Sequence, residues 1–151
     1  MKQPLNDYLK FWRVIRYYIK SKHQLSQADL DILLFLYSEG YFGQEAFDGY
    51  SELVSWEVGR FHRLKKEGWI EYFRKRRGHS RAIYQLSAKA IRVIKDIYRK
   101  LNGDEIPTSL TANALFYKNV SYNDKVYRNM IIQMNAYQRA NKYVKPKPDE
   151  D

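Results

Sequence analysis

Arg74, Lys75, Arg76, Arg77 and Arg81 crowd into the stretch YFRKRRGHSRAIYQLS, Tyr72 to Ser87, with His79 near its middle. Like charges this close repel one another, so a solvated loop gains nothing by gathering them. Against a polyanion the cluster becomes favourable, because each cation set beside a phosphate releases condensed counterions. An arginine in a narrow minor groove would add readout of shape. The competing reading is a basic loop that serves only solubility.

A second set of cations lies upstream. On a helix from about Ser51 to Glu67, Val54, Val58, Phe61 and Leu64 form one apolar stripe, and Trp56, Gly59, Arg60 and Arg63 fall on the other side. Arg60 and Arg63 there are suited to guanine edges or phosphates. Trp56 has two readings: contact with a thymine methyl or deoxyribose, or packing on the short helix before it. Ser51 and Ser55 suit either a helix cap or a phosphate. His62 reads as a rim residue.

Other chemistries are poorly represented. There are no cysteines, which excludes disulfides, thiolate metal sites, cysteine nucleophiles and a thiol redox switch. His23, His62 and His79 have no metal-ligand spacing. Asp29, Asp31, Glu45, Asp48, Glu52 and Glu57 sit on helix starts and polar faces, where acids offset the helix dipole, and make no convincing catalytic pair. No phosphate-cradling glycine loop or nucleophile elbow is present. A non-enzymatic protein without metal or cofactor is expected.

The elements that must position these residues can be traced by periodicity. Residues 5–21 read as a helix with Leu5, Leu9, Trp12, Ile15 and Ile19 in its stripe, widened by Tyr8 and Phe11. In LSQADL, Ser26 and Asp29 make a capping box and Leu25 and Leu30 a hydrophobic staple, so a buried helix follows and stops at Gly40. YFGQEAFDGY is read as a short helical element closed by a turn at Asp48-Gly49, before the helix from Ser51. After Gly68 the period falls to two: WIEYF and AIYQL become the strands of a hairpin with Gly78 near its tip. Ser87 caps a helix expected to bury Ile91, Ile94 and Tyr98, which ends before Asn102-Gly103. A short helix is expected around Leu110 to Phe116. The last helix, 121–142, is expected to use Tyr122, Val126, Met130, Met134 and Tyr137 as its face, widened by Ile131 and Ile132. The tail KPKPDED reads as disordered.

Helices followed by a two-stranded hairpin, in this order, describe a winged helix-turn-helix: mainly α with a small β-hairpin. The expected organisation is one winged-helix domain over 1–142, with a winged unit at about 24–101, flanking helices at 5–21 and 121–142, and a disordered tail at 143–151. The stretch RLKKEGWIEYFRKRRGHSRAIYQLSAKAIRVI resembles the MarR family of transcriptional regulators, with PadR-type winged helices as close relatives. Leu64, Gly68 and Ile70, then Arg81-Ala82, then YQLSAKA carry the resemblance. The chain departs from the family pattern where Gly78, His79 and Ser80 precede Arg81 without an acid, and at Ala90, where glycine is usual. The resemblance implies that the N- and C-terminal helices build a dimer, and that an effector pocket lies between them and the winged unit; no residue here identifies an effector.

Bulk properties agree with this reading. Lys+Arg number 27 against Asp+Glu 17 in 151 residues, a net charge of +10, which favours nucleic acid or another anionic surface as partner. Aromatic residues make up 16%, enough for either base stacking or a helical interface. No apolar run approaches the length of a membrane span, so a cytoplasmic protein is expected, or one in a host cytoplasm or virion if of phage origin. The expected partner is double-stranded DNA, bound by a homodimer through Ser55, Trp56, Arg60, Arg63, Arg74, Lys75, Arg76, Arg77, His79 and Arg81. The alternative is a phage or particle-associated assembly protein using the same fold on nucleic acid or protein. An RNA-binding winged helix is a third reading.

Overall fold

The computed structural model describes residues 7–54 and 58–142, without the side chains of 50–58 and 142. Leu5, Ser55, Trp56 and the 143–151 tail lie outside the described residues. The chain is mainly helical, with one antiparallel two-stranded hairpin. It divides into two compact units, residues 25–95 and residues 1–24 with 96–151.

The 25–95 unit opens with α2 (Gln27–Glu39), preceded in the other unit by α1 (Tyr8–His23). Ser26 is the N-cap of α2: its Oγ accepts the Asp29 N–H at 3.1 Å, and Asp29 Oδ2 accepts the Ser26 N–H at 3.0 Å. Leu25, Leu30, Ile32, Leu33 and Leu36 are buried. The helix ends at Gly40, whose φ of 78° is open to glycine and unfavourable for a side chain.

Next come α3 (Gln44–Val54) and α4 (Val58–Lys66). This corrects the expected turn at Asp48-Gly49: α3 runs straight through it. Gly49 is not among the residues with positive φ, so the pair is helical here, and the fully buried Phe47 anchors the helix against Phe61 of α4, ring centroids 5.0 Å apart. A turn signal is a local preference worth about 1 kcal/mol, less than burying a phenyl ring.

The hairpin follows as expected. β1 (Ile70–Arg74) pairs with β2 (Ile83–Leu86) in the register Ile70↔Leu86, Glu71↔Gln85, Tyr72↔Tyr84 and Arg74↔Ile83, with a bulge between Tyr72 and Arg74. Phe42 adds a third, one-residue edge: its N–H donates to Tyr84 O at 3.1 Å and its carbonyl accepts the Tyr84 N–H at 2.8 Å. One face of this small sheet buries Phe42, Ile70, Tyr84 and Leu86. At the tip, Arg77 and Ser80 exchange backbone hydrogen bonds at 3.0 Å, with Gly78 at φ 59° between them; a positive φ at the first central residue suits a tight hairpin turn. Ser87 Oγ then accepts the Ala90 N–H at 3.2 Å and starts α5 (Ala88–Leu101). Ala90, Val93, Ile94, Ile97 and Lys100 are buried; of the residues expected inside, Ile91 is half-buried and Tyr98 is exposed.

In the other unit, α1 buries Phe11, Val14, Ile15, Tyr18 and Ile19. Leu9, expected in that stripe, is 88% exposed. The segment after α5 holds a single 3-10 turn, Ala114–Phe116, in place of the longer helix expected around Leu110. Then α6 (Tyr122–Lys142) starts under a Ser121 cap, whose Oγ accepts the Asp124 N–H at 3.2 Å. Its buried face is Ile131, Met134, Asn135 and Gln138, while Tyr122, Met130, Ile132 and Tyr137 are exposed. The buried face is therefore rotated from the expected one. The cause is Asn135, which accepts the Ile106 N–H and donates to the Ile106 carbonyl, both at 2.9 Å. A buried side-chain amide that satisfies both polar groups of a loop peptide is worth more than exposing one apolar flank. Between α1 and α6, Tyr17 stacks on Tyr127 at 3.8 Å and donates to Asp124 at 2.5 Å. Burial, then that bond, pushes the Tyr17 phenol up to about 12.

Candidate nucleic-acid interface

The winged helix-turn-helix arrangement is complete within the 25–95 unit: α2, α3, α4, then the wing β1–β2. The wing cations are where a solvent-facing cluster requires them. Arg74, Lys75, Arg76, Arg77, His79 and Arg81 are all exposed. Arg76 reaches the Gly78 carbonyl at 3.5 Å, and Lys75 lies over the Tyr72 ring at 5.7 Å. Among the described residues, Arg74, Lys75, Arg76 and Arg77 have no acidic partner. Like charges left unneutralised raise the local positive potential, which attracts an anionic ligand.

Arg81 differs. Its guanidinium pairs with Glu45 near the start of α3. The acid missing beside Arg81 in the sequence is thus supplied by another element. Both side chains are exposed, so the pair contributes little to stability and chiefly sets where Arg81 points. Between α3 and the wing lies an open groove of about 1000 Å³, lined by Glu45, Arg74, Arg76, His79, Arg81 and Tyr84 among others. Its rim is predominantly cationic.

Arg60 and Arg63 have a use inside the unit. Arg60 Nη1 donates to Asp29 Oδ1 at 2.8 Å and to Ser26 Oγ at 3.1 Å. Arg63 donates to the same carboxylate at 2.5 and 3.2 Å. The Asp29 side chain is 1% exposed, the Arg60 side chain 19% and the Arg63 side chain 43%. Burial pushes the Asp29 carboxyl up, but the bonds from Arg63, Arg60 and Ser26 outweigh it and hold the group at about 2. One carboxylate thus ties α4 to the first turn of α2 and fixes how α4 is presented. Arg63 keeps part of its surface outside this cluster; Arg60 is mostly enclosed by it.

A further link runs between α4 and the wing. Lys65 donates to the Tyr72 hydroxyl at 2.6 Å and lies 4.2 Å from that ring. The bond raises the lysine and lowers the tyrosine phenol. Tyr72 also stacks on Tyr84 with centroids 5.0 Å apart. Neither Asp29, Glu45, Lys65 nor Tyr72 was singled out as an interface residue by sequence reasoning. Only Asp29 carried a signal, as half of a capping box.

Among the described residues, no group of acidic or histidine side chains could hold a metal ion, and no helix is long and apolar enough to cross a membrane.

No protein-family model and no curated protein sequence matches the chain. Solved structures of E. coli MarR are similar to it in layout. A cysteine-to-serine mutant in complex with operator DNA is 13% identical, covering 83% of this chain and 84% of that one, with a TM-score of 0.44. The oxidised form is 15% identical over 83% and 84%, also at 0.44. The wild-type apo form is 13% identical over 83% and 87%, at 0.44. The operator DNA is a ligand of the E. coli protein.

Proposed function

We propose that this chain is a winged-helix DNA-binding protein, a dimeric transcriptional regulator of the MarR type. The observation that carries the reading is the wing: Arg74, Lys75, Arg76 and Arg77 are consecutive, exposed and without an acidic partner among the described residues. In this reading they lie along the phosphates of a duplex, with His79 at the tip. Arg81 stands at the wing base, while α4 faces the major groove with Arg63 on its rim. Arg60 acts mainly by holding α4. Ser55 and Trp56 are proposed to contact DNA beside the start of α4. Dimerisation is supported by apolar side chains that the 1–24/96–151 unit leaves exposed, among them Leu9, Ile132 and Tyr137. Two copies would then address two half-sites of duplex DNA, in the cytoplasm of the cell that makes the protein. A small-molecule effector belongs to this proposal without a residue to name.

Replacing Arg74, Arg76 and Arg77 together by glutamine tests the wing. Fluorescence anisotropy with a duplex over a salt series is expected to show weaker binding. The slope of log K against log salt should fall by about 0.9 for each phosphate that is no longer neutralised, so by roughly 2 to 3 per chain and about 5 for a dimer with both wings on the duplex. Unchanged affinity and slope would contradict the reading.

A further inference from the structure

On α4, Gly59, His62, Arg63 and Lys66 recur at the i, i+3, i+4, i+7 spacing of one helix face, and each is exposed. Arg63 is drawn to Asp29. The rest of the stripe is a glycine, an imidazole and an ammonium.

Among the described residues, nothing requires glycine at position 59. Gly40, Gly68 and Gly78 have positive φ and need it; Gly59 does not. A Cβ built on Gly59 meets no described residue within 4 Å, so no neighbour excludes a side chain. Glycine is a poor helix former, and here that weakness brings no compensating contact within the described chain. A surface outside the chain that comes nearer to the α4 backbone than a side chain permits would supply the compensation. Gly49 on α3 is also helical and open. However, its surroundings in sequence are the acids Glu45, Asp48 and Glu52, whereas Gly59 shares its face with cations and hydrogen-bond donors.

We propose that Gly59 is the point where α4 comes closest to the base-pair edges of duplex DNA, and that His62 and Lys66, on the next turns, are its specificity-determining side chains. The proposal rests on the nucleic-acid reading above. His62 offers a ring donor or acceptor to a base edge, and Lys66 offers donors to guanine O6 and N7. With no side chain at Gly59, the helix can sink far enough for both to reach.

The test compares Gly59→Ala with Gly49→Ala, and His62→Ala with Lys66→Ala. The probes are duplexes with a randomised core, enriched on the wild-type protein, and the starting pool. Both alanine-for-glycine variants are expected to raise Tm by a few degrees, because each removes unfolded-state freedom at a compatible site. Only Gly59→Ala should lose affinity for the enriched duplex, by tenfold or more. His62→Ala and Lys66→Ala should each narrow the preference for enriched over starting duplexes by about 5- to 100-fold. A Gly59→Ala variant that gains stability and binds the enriched duplex as wild type does would overturn the assignment alone. A wild-type protein that binds no duplex would overturn both this assignment and the reading beneath it.

Discussion

Asp29 is the residue on which the geometry of the proposed interface turns. A carboxylate 1% exposed survives in the ionised form only because Arg60, Arg63 and Ser26 surround it. Its folded-state value of about 2 lies below the 3.8 of an unperturbed carboxyl. The unfolded chain therefore takes up the proton first as pH falls. The stability this group contributes is complete above about pH 4 and is lost as pH drops toward about 2. The shift corresponds to about 2 kcal/mol. Asp29→Asn is expected to destabilise the protein at neutral pH by about 2 to 3 kcal/mol, since two arginines lose their anion. Urea unfolding of wild type and variant at pH 6 and near pH 2 should show that gap narrow by about 2 kcal/mol in acid; a gap independent of pH contradicts the assignment. At this scale the sequence was only half legible. The bond between Ser26 and Asp29 spans one turn and follows from the motif. The arginines are distant in sequence, and which acid they meet depends on how α4 crosses α2. Glu45 and Arg81 are hidden for the same reason.

At the scale of elements, what depends on neighbours in the chain could be read and what depends on packing could not. The capped start of α2, the stop at Gly68, the two alternating strands and the Ser87 cap all follow from adjacent residues, and all are present. The Asp48-Gly49 pair misled because burial of Phe47 overrides a local turn preference. In α6 the apolar pattern found Ile131 and Met134 but missed the flank beside them, because Asn135 and Gln138, polar by type, are buried too. Asn135→Leu should therefore destabilise the protein even though it adds an apolar residue to a buried position. It strands the N–H and the carbonyl of Ile106, which are now bonded at 2.9 Å. The expected loss is about 2 to 4 kcal/mol by thermal or urea unfolding. A neutral or stabilising outcome would mean that the Ile106 peptide finds other partners. Turning that face inward leaves Tyr122, Ile132 and Tyr137 outside, where the proposed dimer would cover them.

For the molecule as a whole, a net charge of +10 and the order of helices and hairpin were legible from the start. Charge alone is compatible with any polyanion. The winged arrangement adds α4 and, in the same unit of 25–95, a run of wing cations, Arg74 to Arg77, without an acidic partner among the described residues. The central claim is that this surface reads duplex DNA as part of a two-fold assembly. Selection of bound duplexes from a random pool at physiological salt tests it most directly. The expected result is enrichment of a palindromic motif whose half-sites lie about one helical turn, roughly 10 base pairs, apart. A pool that emerges without any enriched sequence, from a protein that retains it only at low salt, would contradict the claim.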